Sequence, residues 1–164
     1  MSDVNDWNRR IIAEFRANDG KCGGVFAGSD VLILHSIGAR SGIVRQNPLV
    51  YRQQGDTYFV VASKGGAPTN PDWYYNVVAN PELTIEVGAS SIAVRARVLH
   101  GSQRDDAFHA HKLRYPNLGE YETATTRVIP VVAIDPIRRV ETARRPKLAA
   151  CGAYRWIEPV DLRS

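Results

Sequence analysis

At 164 residues, 44% apolar and 23% charged, the chain has the size and composition of one globular domain with a continuous core. No apolar run approaches the ~18 residues of a membrane span, and the polar N-terminus does not read as a signal peptide. The net charge of +4 is unevenly placed: residues 1–136 hold 14 Lys/Arg and 14 Asp/Glu, residues 137–164 hold 7 and 3, and a neutral body argues against a nucleic-acid module.

In chain order, Asp6 to Asn18 reads as an amphipathic helix. Trp7, Ile11 and Phe15 recur at i, i+4 and i+8, Ile12 and Ala13 widen the stripe, and Arg9, Arg10, Glu14 and Arg16 lie opposite. Such a stripe either lies on the body of the fold or gates a lipophilic substrate, with at most peripheral membrane contact. Val31–Ser36 is nearly all apolar and reads as a strand buried on both faces. Gln46–Arg52 and Thr57–Ser63 flank a hairpin-like turn at Gln53–Asp56, and Leu83–Val87 and Ile92–Leu99 flank a second turn at Gly88–Ser91. Between the hairpins, Pro71 and the Asn80-Pro81 stop bracket a short helix. Ser102–Leu113 reads as another helix, Tyr115–Tyr121 as a loop and Val128–Ile134 as a final strand. The order implies an α+β fold, an antiparallel barrel with inserted helices, as a single domain over 1–136. The basic extension over 137–164 has no assignable role.

Two turns concentrate the chemistry: Gly38-Ala39-Arg40-Ser41-Gly42 running into Arg45-Gln46-Asn47-Pro48, and Ser63-Lys64-Gly65-Gly66. Each follows an apolar strand and joins cations to glycines and small hydroxyl residues. Glycines let backbone N–H groups approach a ligand, and Arg and Lys neutralise an anion, so the pair reads as an anion cradle on a β scaffold. His109 and His111 lie two apart, on different sides of a helix, and His35 suits a satisfied strand position; no metal site is expected. Cys22 and Cys151 lack metal spacing, which suits a reduced, cytoplasmic protein, with membrane-peripheral placement left open.

With these turns, Asn70-Pro71-Asp72-Trp73-Tyr74-Tyr75-Asn76, Ala79-Asn80-Pro81 and Arg127-Val128-Ile129-Pro130-Val131-Val132, the chain resembles the deazaflavin (F-420)-dependent nitroreductase and quinone reductase family from about Phe15 to Pro136. The resemblance implies a split β-barrel of the FMN-binding type and the 8-hydroxy-5-deazaflavin coenzyme F-420. It also implies hydride transfer to a quinone, nitroaromatic or similar hydrophobic acceptor by a monomer or weak homo-oligomer. It places the anionic tail of the cofactor on Arg40, Ser41, Gly42, Arg45, Lys64 and Gly65, the ring beside Asn47 and Pro48, and Trp73 and Asn76 on the helix closing over it. Tyr115 and Tyr121 fall on the family's pattern of acceptor-polarising tyrosines, with Leu118 in place of a third, and Ser63 is a candidate donor near the ring. The same residues leave two alternatives open: an FMN-dependent split-barrel enzyme, and a barrel that binds cofactor or lipid without turnover.

Overall fold

The computed structural model describes residues 2–137. Seven strands among the described residues form one antiparallel sheet: β1 (Val31–Ile37), β2 (Val44–Val50), β3 (Arg52–Gln54), β4 (Thr57–Val61), β5 (Glu82–Val87), β6 (Ser90–Val98) and β7 (Val131–Pro136). Helices α1 (Ser2–Ala17), α2 (Asp72–Ala79), α3 (Gly101–Arg114) and α4 (Leu118–Thr123) pack on it. The sheet order is β2-β1-β5-β6-β7-β4-β3. Its two edge strands are consecutive in sequence, separated by Tyr51 alone, so the chain leaving one edge enters the other and the sheet curls into a split barrel.

Leu32, Leu34, Tyr58, Val60, Ile85, Val94, Val132 and Ile134 fill one core cluster, and α2 adds Trp73 and Val77 to it. On the other face of β1, Val31 and Ile33 meet Ile12 and Phe15 of α1. This double burial is why Val31–Leu34 is an unbroken apolar run. A third cluster joins α3 and α4 to β7 through Ala107, Phe108, Leu118, Val131 and Ala133.

Several expectations change at this level. The N-terminal stripe is anchored by Ile12 and Phe15, with Phe15 fully buried, whereas Trp7 is 38% exposed against Phe26. Helix α1 is therefore part of the folded body, each anchor contributing about 1.5–3 kcal/mol of burial. The segment read as a loop over Tyr115–Tyr121 contains α4. Its Pro116, Asn117 and Gly119 signal a turn, but burial of Leu118 on Phe108 and Ile129 holds one helical turn in place. The second hairpin is tighter than expected, because Val87 pairs with Ser90 and leaves only Gly88-Ala89 as the turn. The last strand starts at Val131 rather than Val128, which is exposed. From residue 138 on, the C-terminal extension and Cys151 lie outside the described residues.

Candidate functional site

Strands β1 and β4 run in the same direction, since each neighbour between them is antiparallel and three strands intervene. The first cationic turn follows β1 and the second follows β4, so both lie at C-terminal strand ends on one rim. Helix α2 joins them. At its C-terminal half, the Asn76 side-chain oxygen accepts the Ala39 N–H at 3.0 Å, Asn76 Nδ2 donates to Ser36 Oγ at 3.3 Å, and Asn80 Nδ2 donates to the Ile37 carbonyl at 3.3 Å. Its N-terminus, at Asp72, follows the Lys64 turn after the five residues 67–71.

In the first turn, Gly38 N–H donates to the Ile43 carbonyl and Ser41 Oγ accepts the Ile43 N–H, leaving the Ser41 hydroxyl proton to donate outward. Arg40, Ser41, Gly42 and Arg45 are all exposed, and neither arginine has an ion-pair partner among the described residues. Strand alternation then separates Asn47 from Pro48. Arg45 pairs with Ser36 and Asn47 with Leu34, on the face of the main core, whereas Pro48 pairs with Ile33 on the face covered by α1. The Pro48 ring is therefore on the opposite face of β2 from Arg45 and Asn47.

The second turn is a nest. Ser63 is right-handed helical (φ −77°, ψ −36°), and Lys64 (φ +49°), Gly65 (φ +64°) and Gly66 (φ +86°) are left-handed. A right-handed residue followed by a left-handed one turns successive N–H groups to one side, a concavity suited to an anion. The N–H groups of Ser63, Lys64 and Gly65 and the Ser63 hydroxyl have no acceptor among the described residues. Lysine is uncommon at positive φ, and such strain concentrates where a function holds it. Among the described residues Lys64 Nζ bonds only Thr69 Oγ1, at 3.2 Å, and the space around Gly65 is open. A phosphate or carboxylate fits this donor set.

Gly66 is where the turn meets α4. A Cβ there would lie 2.9 Å from both the Tyr121 carbonyl and Ala124 Cβ, so only glycine lets the two segments touch. The Tyr121 backbone is thereby brought against the Lys64 turn, while its half-buried ring packs on the Phe108 and Leu118 cluster. Its hydroxyl accepts from Asn117 Nδ2 at 3.2 Å and keeps its proton to donate.

Three expected site residues are occupied elsewhere. Tyr115 donates to the Tyr51 carbonyl at 2.8 Å and accepts the Asp30 N–H at 3.2 Å, which locks the corner between β2 and β3; burial pushes its pKa up. Asp30 precedes β1 and Gly38 follows it, so this lock lies roughly 26 Å along the strand from the first turn. Trp73, 6% exposed, is a core residue that seats α2. Leu118 is buried against α3 and supplies no acceptor-facing surface. Cavities of about 300 Å³ (Arg52, Phe59, Arg97, Asp106) and about 480 Å³ (Lys21, Cys22, Asp30, Tyr51) lie away from both turns. The cradle is an open surface.

Arg127 clamps the second turn from outside it. Its Nε donates to the Ala67 carbonyl at 2.8 Å, Nη1 to Asn70 Oδ1 at 2.6 Å, and Nη2 to the Ser63 and Ala62 carbonyls at 2.8 and 3.2 Å. Its sequence signal, one arginine ahead of an apolar strand, is too common to indicate such a clamp.

Residues 7–136 match the model of the family described as F420H(2)-dependent quinone reductase. The chain belongs to that family. An F420H(2)-dependent quinone reductase of Mycobacterium tuberculosis (strain ATCC 25618 / H37Rv) is 34% identical over 148 residues, covering 80% of this chain and 97% of the relative. A solved F420-H2 dependent reductase is 37% identical, covering 64% of this chain and 93% of its own, with a TM-score of 0.60. A second solved structure, described as a domain-swapped dimer, is 34% identical and covers 80% and 99%, with a TM-score of 0.62. As an F420H(2)-dependent quinone reductase family member, the chain is an F-420-dependent oxidoreductase on a split barrel, which decides against the FMN and non-catalytic alternatives. Among its described residues, no helix is long and apolar enough to cross a membrane.

Proposed function

We propose that this protein reduces a hydrophobic quinone with F-420H2, holding the cofactor's anionic tail across the two cationic turns. The observation that carries this reading is the Ser63–Gly65 nest, with three unused N–H donors and Lys64, pressed against the helix that bears Tyr121. When bound, the reduced deazaflavin supplies the hydride, and the acceptor takes up a proton as well to become the hydroquinone.

The roles of the protein groups follow from their geometry. Arg40, Arg45 and Lys64 neutralise the phosphodiester and glutamate carboxylates, while the nest N–H groups and the Ser41 and Ser63 hydroxyls donate to the same oxygens. Asn47, one pleat along from Arg45, borders the ring. Asn76 keeps the first turn in register with α2. Tyr121 donates its proton in a hydrogen bond to the carbonyl oxygen that gains charge, and the Asn117 bond to its oxygen orients that hydroxyl and favours donation. Tyr115 has no part in this step.

The test is a fluorescence titration of F-420, of the tail-less deazaflavin and of FMN, followed by F-420H2 oxidation with menadione and with a nitroimidazole. F-420 is expected to bind much more tightly than the other two, and menadione to be the better acceptor. Lys64→Ala and Arg45→Ala should each weaken F-420 by about 1–3 kcal/mol, and less in high salt. Equal binding of F-420 and the tail-less form would remove the cradle from cofactor recognition; a faster nitroimidazole reaction would make the nitroaromatic the acceptor.

A further inference from the structure

All four Arg127 acceptors lie within residues 62–70, on both sides of the Lys64 turn: the carbonyls of Ala62 and Ser63 before it, the carbonyl of Ala67 and the side chain of Asn70 after it. None is a carboxylate, and Arg127 forms no ion pair among the described residues. The planar fork thus closes the segment into a loop around an unneutralised positive charge. Two consequences follow from this arrangement. The carbonyls of Ala62 and Ser63 are drawn inward, which sets the peptide planes whose N–H groups face outward from the nest. The guanidinium charge, held behind those N–H groups, raises the local potential felt by an anion in front of them.

We propose that Arg127 is a positioning residue for the anion-binding turn: it holds the Ser63 and Lys64 N–H groups in their donor arrangement and adds a fixed positive charge behind them. This rests on the reading that the cofactor's tail anion occupies that turn. Lysine cannot replace it fully, because a tetrahedral ammonium retains the charge but cannot reach four acceptors in one plane.

The experiment compares Arg127→Gln, Arg127→Lys and Lys64→Ala in the full chain. It reads F-420 affinity across a salt series and hydrogen exchange of the 62–70 amides in the cofactor-free protein. Arg127→Gln should weaken F-420 about tenfold to a hundredfold, flatten the salt dependence as Lys64→Ala does, and speed exchange over 62–70. Arg127→Lys should keep the parent's salt dependence while losing a smaller part of the affinity. A merely structural brace would change exchange and melting temperature but leave the salt dependence as in the parent. If Arg127→Gln does not fold, Arg127→Lys decides: parent affinity together with parent exchange overturns the proposal. Weakening by Lys64→Ala with an unaffected Arg127→Gln overturns the role of Arg127 alone. No effect of Lys64→Ala overturns the placement of the anion, and the proposal with it.

Discussion

The Asn76 side-chain oxygen accepts the backbone N–H of Ala39 at 3.0 Å, tying the helix that follows one cationic turn to the backbone of the other. Asn76 is only 9% exposed, and its amide donates to the fully buried Ser36 hydroxyl. Replacing Asn76 by Ala leaves the Ser36 hydroxyl and the Ala39 N–H unpaired. The expected result is a loss of about 1–3 kcal/mol in chemical denaturation, with weaker F-420 binding because the first turn loses its register. Full stability with unchanged affinity would show that α2 does not organise the cradle.

Tyr115 and Tyr121 should separate cleanly. Tyr115→Phe removes the bond to the Tyr51 carbonyl and should cost about 1–2 kcal/mol of stability with little change in kcat or cofactor affinity. Tyr121→Phe should leave stability and F-420 affinity near the parent and lower kcat, as the proposed hydrogen bond to the acceptor's developing charge requires. Steady-state kinetics and urea melts on both variants check this; the opposite pattern would reassign the two hydroxyls.

Removal of residues 1–18 tests the burial of α1. Because Phe15 and Ile12 cover Val31 and Ile33, truncation should lower the melting temperature and expose apolar surface to dye. Arg16, which holds Glu86 from this helix, is lost as well. A truncated protein of parent stability, with only its KM for long-chain quinones altered, would restore the view of α1 as a substrate gate.

His111 makes acid stability measurable. Burial, aided by Arg52 and Arg114, pushes its pKa from 6.5 down to about 4. Between these values the unfolded chain binds a proton that the folded protein refuses, so stability is fully present above pH 6.5 and falls as pH drops towards 4. The expected contribution is about 3 kcal/mol across that window. In His111→Leu, denaturation midpoints between pH 6.5 and 4 should fall less steeply than in the parent; equal slopes would mean that His111 is protonated in the fold.

Much of the strand ladder could be read from local chemistry, because apolar runs and turn residues act over a few positions. Val31–Ser36 announces burial on both faces, Gly88–Ser91 a hairpin turn, and Pro71 to Asn80 a short helix. The two cationic turns were equally visible, since a Gly/Arg/Ser cluster after a strand has an intrinsic affinity for anions. Their order along the chain also carried the family resemblance.

What the sequence alone could not assign was the direction and company of individual side chains. Pro48 and Asn47 are neighbours in sequence, yet the pleat sends them to opposite faces. Tyr115 and Tyr121 are the same residue type, and only the long-range partners Tyr51, Asp30 and Gly66 distinguish a lock from a candidate donor. Leu118 made a helix from a turn-like segment by finding Phe108 and Ile129, and Arg127 became a clamp by meeting four acceptors some sixty residues away. The sequence by itself determined which residue types were available at each turn. The curled sheet decided which of them meet, because pairing between distant strands sets the faces on which side chains converge.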